Sequence, residues 1–136
     1  MILFNFCKTP NWHVIEGNNR MTTFLIVDDS MMTRMMVKTI VAEHYPDWEV
    51  MQAKDSEDAL SQVKDKSFDV ATIDMNMPGI SGLELIPKLQ ESHPNAKIAL
   101  LTANIQKKIH ERADKLGVQV LSKPVNEEII LKYLGE

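Results

Sequence analysis

Four short apolar runs punctuate this chain, and each gives way to polar residues at its carboxyl end. Phe24–Val27 leads into Asp28 and Asp29, Val70–Ile73 into Asp74, Ile98–Leu101 into Thr102, and Val118–Leu121 into Ser122 and Lys123. Runs this short, with no polar alternation, read as strands buried on both faces. Amphipathic stretches of helical period separate them, so the strands are expected to be parallel and joined by helices. Parallel strands share one carboxyl edge, where open α/β sheets bind their ligands. Three carboxylates, a hydroxyl and an ammonium should therefore meet at that edge.

The helical stretches have recognisable stops. The first runs from about Ser30 to His44, with Thr33, Met36, Val37, Ile40 and His44 on one stripe, and Tyr45-Pro46-Asp47 ends it. Trp48 to Ala53 reads as another strand; Asp55 or Ser56 then caps a helix whose Ala59, Leu60 and Val63 face inward. A further helix starts near Ser81, and its Pro87 removes the bond to Leu83, which should kink or loosen it before His93-Pro94-Asn95 closes the unit. The next spans about Ile105 to Leu116 and ends at Gly117, with Lys107, Lys108, Arg112 and Lys115 as a solvated face. The last begins after Asn126, giving five βα units.

Composition narrows the class. A chain of 136 residues, 44% hydrophobic, suffices for one domain, and no stretch has the length or purity of a membrane span, so a soluble protein is expected. The formal net charge of −4, with signs mixed along the chain, does not suggest a nucleic-acid-binding face. Cys7 has no partner for an internal disulfide and there is no cleavable signal pattern, which fits a cytoplasmic location. Glu136 directly follows the fifth helix, so no attached DNA-binding module is expected. Residues 1–20 stand apart, with Pro10, Gly17, Asn18-Asn19 and an Ile2-Phe4-Phe6 alternation that would suit a short strand. They read as an extension without catalytic role, a tail or an upstream start-codon choice, before a domain at 21–136. His13, His44, His93 and His110 show no metal-ligand spacing.

A cluster of carboxylates is costly without a cation, since two unit charges ~4 Å apart repel by roughly 4 kcal/mol at an effective dielectric near 20. Lys123 alone cannot neutralise Asp28, Asp29 and Asp74. Mg²⁺ would, because it favours a few carboxylates together with retained waters and phosphate oxygens.

Asp28-Asp29, Asp74-Met75-Asn76-Met77-Pro78-Gly79, Thr102-Ala103 and Lys123-Pro124 together resemble the receiver domain of two-component response regulators, in its single-domain, CheY-like form. The resemblance runs from about Thr22 to Leu134. It implies a flavodoxin-like, doubly wound (βα)5 three-layer sandwich with a five-stranded parallel sheet in the order 2-1-3-4-5. It further implies that Asp74 accepts a phosphoryl group from a histidine kinase, a phosphotransfer protein or a small phosphodonor. Mg²⁺ would be held by Asp28, Asp29, Asp74 and the main-chain carbonyl of Asn76. Lys123 would pair with Asp74 and then with a phosphoryl oxygen, Thr102 and the Ala103 amide would sense the phosphoryl group, and the Lys123-Pro124 bond would be cis. An aromatic residue that commonly reports the switch in this family is replaced by Val120, so output must be read by other groups. Asn76 and Asn104, short amides at positions that tune the lifetime of the acyl phosphate, imply moderately fast self-dephosphorylation. Helix 1 helps dock the phosphodonor in this family, and Met31, Met32, Met35 and Met36 would offer it an adaptable contact surface, with Met36 lying on the core stripe.

Each residue also has a plainer role open to it. Asp28 or Asp55 alone would be a turn former or cap, Thr102 alone would cap the fourth helix, and Lys123 alone would be a solvated lysine. Their joint placement favours the site. Three classes of function compete: a phosphorylation-controlled switch binding a protein partner, an aspartyl-phosphate phosphohydrolase, and a dinucleotide-binding module. A phosphohydrolase normally has an acid at position 76, where this chain has an amide. A dinucleotide module would need a glycine-rich turn after the first strand, where Asp28-Asp29 would instead repel a pyrophosphate. The switch is the preferred reading: not an enzyme acting on others, monomer or weak dimer, with its output partner unnamed and a phosphorelay step or a chemotaxis circuit both open to it.

Overall fold

Alternation within each strand decides the architecture. In the first strand Leu25 and Val27 face one apolar layer while Phe24 and Ile26 face another, and all four are fully buried. A strand buried on both sides needs helices on both faces, which is what the computed structural model shows for residues 21–103 and 106–135. Its elements are β1 (Thr23–Val27), α1 (Met31–His44), β2 (Glu49–Ala53), α2 (Ser56–Asp65), β3 (Val70–Asp74), α3 (Gly82–Ser92), β4 (Lys97–Thr102), α4 (Lys107–Leu116), β5 (Gln119–Ser122) and α5 (Glu127–Tyr133). The sheet is parallel throughout, in the order β2-β1-β3-β4-β5. Residues of α2, α3 and α4 complete one core layer, and residues of α1 and α5 complete the other. This is the doubly wound three-layer sandwich expected from the sequence.

Local chemistry explains the helix ends. Ser30 caps α1 by accepting from the Thr33 amide, Asp55 rather than Ser56 caps α2, and Asn126 caps α5. Ser81 and Glu84 form a reciprocal capping box on α3. That helix runs continuously through Pro87, which is exposed, while Leu83, Leu85, Ile86 and Leu89 are buried and hold the opposite face. Gly117 closes α4 in the left-handed conformation, at φ 76°.

Three expectations need correction. The fourth apolar run is not buried on both faces: β5 is an edge strand, with Gln119 and Ser122 exposed and Val120 and Leu121 half-buried. A run ending the sheet has a neighbour on one side only. The α1 stripe is narrower than its period suggested, since Val37, Ile40 and Val41 are buried but Met36 is 42% exposed. A 14-residue helix is about 21 Å long against about 16 Å for a five-residue strand, so one strand cannot cover its whole length; Thr33 is half-buried and His44 exposed. Finally, α4 begins at Lys107 with Gln106 as its cap, which removes the capping role considered for Thr102; Ile105 and Asn104 lie outside the described residues. Residues 1–20, with the strand considered for Ile2-Phe4-Phe6, Cys7 and His13, also lie outside them.

Candidate functional site

The carboxyl edge of the sheet collects the residues that the sequence places at strand ends. Asp28 follows β1 directly, its amide bonded to Ala53 O at 3.1 Å across the β1–β2 boundary. Asp74 ends β3, in register with Leu101, and Thr102 follows on β4 opposite Ser122. The Lys123 amide donates to Thr102 O at 3.0 Å, continuing the ladder beyond β5. The Lys123-Pro124 peptide is cis, as the resemblance implied. On the far side, α3 starts hard against β3: a Cβ on Gly82 would stand 2.3 Å from Asp74 O, so only glycine fits there without moving the backbone that carries the carboxylate.

These placements bring one carboxylate oxygen each from Asp28, Asp29 and Asp74 within 4.8 Å of one another. Asp28 and Asp74 are buried while Asp29 is exposed, giving a pocket closed below and open to solvent above. The Lys123 ammonium donates to Asp74 Oδ1 at 2.9 Å and lies 3.3 Å from Asp28 Oδ2. Among the described residues, both hydrogen bonds that Asp74 accepts, from Lys123 and from the Asn76 amide at 3.4 Å, fall on Oδ1. Asp28 Oδ1 accepts from the Ser30 amide at 2.8 Å, whereas its buried Oδ2 is served, among the described residues, by the Lys123 ion pair alone.

Charge follows this geometry. Burial pushes the Asp74 carboxyl up to about 6, aided by the negative charge of Asp28 and opposed chiefly by the Lys123 hydrogen bond. Burial alone would lower the Lys123 ammonium, but the Asp74 hydrogen bond and the charges of Asp28 and Asp74 outweigh it and hold its pKa above the ordinary lysine value. One ammonium therefore leaves the three carboxylates under-neutralised. Three converging carboxylate oxygens served by a single ammonium fit a hard divalent cation, and the Asn76 amide lies beside them on Asp74.

All the predicted site residues that are described fall on this edge. Thr102 is buried and Ala103 exposed at the end of β4; Asn104 is outside the described residues. Sequence reasoning missed Arg34 and Gln52. Arg34 Nη1 donates to Asp28 O at 2.7 Å and its Nε to Gln52 Oε1 at 3.2 Å. A cation in the first turn of a helix that directly follows an acid pair was the available signal. The fold also makes a second group that spacing could not reveal: Glu43, His44 and Glu127, with His44 Nε2 2.5 Å from Glu127 Oε2. All three are exposed.

Known proteins share this arrangement of sequence and fold. Residues 24–135 match the response regulator receiver domain family. The chemotaxis protein CheY of Listeria monocytogenes is 32% identical over 116 residues, covering 84% of this chain and 96% of that protein. CheY of Thermotoga maritima is 31% identical over 114 residues, covering 82% and 93% respectively. The structure of chemotaxis protein CheY4 of Vibrio cholerae superposes with a TM-score of 0.77 at 30% identity, covering 85% of this chain and 97% of that one.

Proposed function

Because the chain belongs to the response regulator receiver domain family, we propose that it is a phosphorylation switch in which Asp74 accepts a phosphoryl group from a phosphohistidine or a small phosphodonor. The observation that carries the reading is the convergence of the Asp28, Asp29 and Asp74 carboxylates around a lysine ammonium that binds one oxygen of Asp74. Oδ2 forms the new O–P bond as the P–N bond of the donor breaks, its electron pair staying on the imidazole nitrogen. The product is an acyl phosphate.

Such a transfer needs in-line positioning and neutralisation of charge on the equatorial oxygens more than proton transfer. Lys123 moves its hydrogen bond from Asp74 Oδ1 to a phosphoryl oxygen. Mg²⁺, held by Asp28, Asp29, Asp74 and the Asn76 carbonyl, would supply the remaining positive charge. The Thr102 hydroxyl and the Ala103 amide, at the end of β4, then bond the new anionic oxygens. The added charge thereby becomes a change in the loop that follows β4, in the manner of phosphorylation switches. With Val120 on β5 in place of an aromatic, the change is read by other groups of the surface. The phosphodonor docks on the methionine face of α1, where Met31, Met32 and Met35 are 64%, 74% and 56% exposed.

Incubation with acetyl phosphate and Mg²⁺ beside an Asp74→Asn variant tests the chemistry. Mass addition of one phosphoryl group to the native chain alone is expected. Equal labelling of the variant would remove Asp74 from its role.

A further inference from the structure

The peptide joining the two adjacent acids is gripped from the helix beside it, and we propose that Arg34 is a positioning residue for the divalent-ion pocket, acting through that peptide with Gln52 as its anchor. The proposal rests on the reading of Asp28, Asp29 and Asp74 as ion-holding carboxylates. Arg34 reaches the main-chain oxygen of Asp28 at 2.7 Å and the side-chain oxygen of Gln52 at 3.2 Å. A peptide unit is planar, so fixing Asp28 O fixes the plane in which the nitrogen and Cα of Asp29 lie. Asp28 is held independently of this, through its amide to Ala53 O and its Oδ1 to the Ser30 amide. Asp29 is exposed, and its carboxylate is aimed by its own backbone. The guanidinium is thus the group that sets where the exposed carboxylate points.

The grip has a foundation. Gln52 lies on β2, and its main-chain oxygen accepts from Gln62 Nε2 at 2.7 Å; Gln62 is braced in turn on Asp58 Oδ1 at 3.1 Å. The acid pair is tied through Arg34 and Gln52 to α2. Helix electrostatics alone would not choose this residue, because a cation in a first turn meets the positive end of the dipole and α1 has no acidic residue there. A planar fork with fixed donors serves the two acceptors at once, which an ammonium on a flexible stem does less well.

Two effects of removing Arg34 oppose each other. Losing a positive charge beside the carboxylates would tighten cation binding, and losing the grip would loosen it. The guanidinium contacts a carbonyl rather than a carboxylate, so the grip dominates. Outer partners of this kind typically carry 10–100-fold in metal affinity.

Calorimetric titration of the full chain with Mg²⁺ tests this, comparing the native chain with Arg34→Gln, Arg34→Lys, Gln52→Leu and the Arg34→Gln/Gln52→Leu pair. Asp74 labelling by acetyl phosphate is followed at saturating Mg²⁺. Arg34→Gln should weaken Mg²⁺ binding about tenfold and Arg34→Lys by less, while Gln52→Leu, which changes no charge, should weaken it about threefold. The double variant should bind no more weakly than Arg34→Gln alone, because both act through one contact chain. The labelling rate at saturation should stay within about twofold of native, since Asp74 and Lys123 are untouched. Affinity that is unchanged or tighter in Arg34→Gln, or strictly additive losses, would overturn the proposal; should Arg34→Gln fail to fold, an unchanged affinity in Gln52→Leu would do so. A native chain that neither binds Mg²⁺ nor labels overturns the functional reading and the grip with it, whereas variants that match a native chain that does bind overturn the grip alone.

Discussion

Lys123 Nζ lies 2.9 Å from Asp74 Oδ1, a bond between residues 49 positions apart in the chain. Each group changes the other: the ammonium opposes the effect of burial on the carboxyl, and the carboxylate keeps the half-buried ammonium charged. The pair is also unbalanced, because the same ammonium faces Asp28 Oδ2 at 3.3 Å.

Removing the ammonium should therefore be felt in the chemistry. Lys123→Met is expected to slow Asp74 labelling by acetyl phosphate about 100-fold, the scale seen when one preorganised charge-stabilising donor is lost. Circular dichroism should remain native. A rate within twofold of native would show that Lys123 is not the group that meets the phosphoryl oxygens.

The raised carboxyl makes stability depend on pH in a defined direction. The folded pKa of Asp74, about 6, lies above its ordinary 3.8, so between these values the folded chain binds more protons than the unfolded one. Asp74's contribution is then most favourable at low pH and is lost as pH rises through about 6. Asp74→Asn should accordingly raise Tm by several degrees at pH 7.5 without Mg²⁺, with the gain shrinking toward pH 5 and gone near pH 4. Melting curves across that range check it, and a gain that grows on acidification would contradict the assignment of the buried charge.

The methionine face offers a test that separates docking from chemistry. Met31→Ala with Met35→Ala should reduce phosphoryl transfer from the cognate histidine donor roughly tenfold, as expected for trimming two apolar anchors of a contact. Labelling by acetyl phosphate should be unchanged, because no protein is docked. Unaltered transfer from the protein donor would remove this face from recognition.

Thr72, in the middle of β3 two residues before Asp74, is fully buried, and its Oγ1 makes no hydrogen bond among the described residues. An uncompensated hydroxyl costs on the order of 1–3 kcal/mol by mutational measurement. Thr72→Val, of the same shape, is expected to raise the urea midpoint by an amount worth about 1 kcal/mol with no change in slope. A lower midpoint would mean that the hydroxyl is satisfied in solution.

The chain order and edge location of the site were legible in the sequence for a local reason: a buried parallel strand announces itself as a short apolar run, and its carboxyl end is the next residue along. That logic placed Asp28, Asp29, Asp74, Thr102 and Lys123 at one edge, and residue type alone narrowed the cap of α2 to Asp55 or Ser56, of which the structure uses Asp55. Where burial depends on neighbours from elsewhere in the chain, local pattern misled. Val118–Leu121 reads like the other runs, yet as the sheet's last strand its members are at best half-buried, apart from Val118 just before it. Met36 has the right helical phase, but α1 meets the sheet through Val37, Ile40 and Val41, a contact set by which strands lie beneath. Only the tertiary structure could decide which carboxylate is sheltered, Asp28, and which is open, Asp29, or bring Arg34 and Gln52 to the peptide between them. Apolar periodicity is written in nearest neighbours, whereas charge placement and hydrogen-bond partners depend on distances that exist only once the chain has closed on itself.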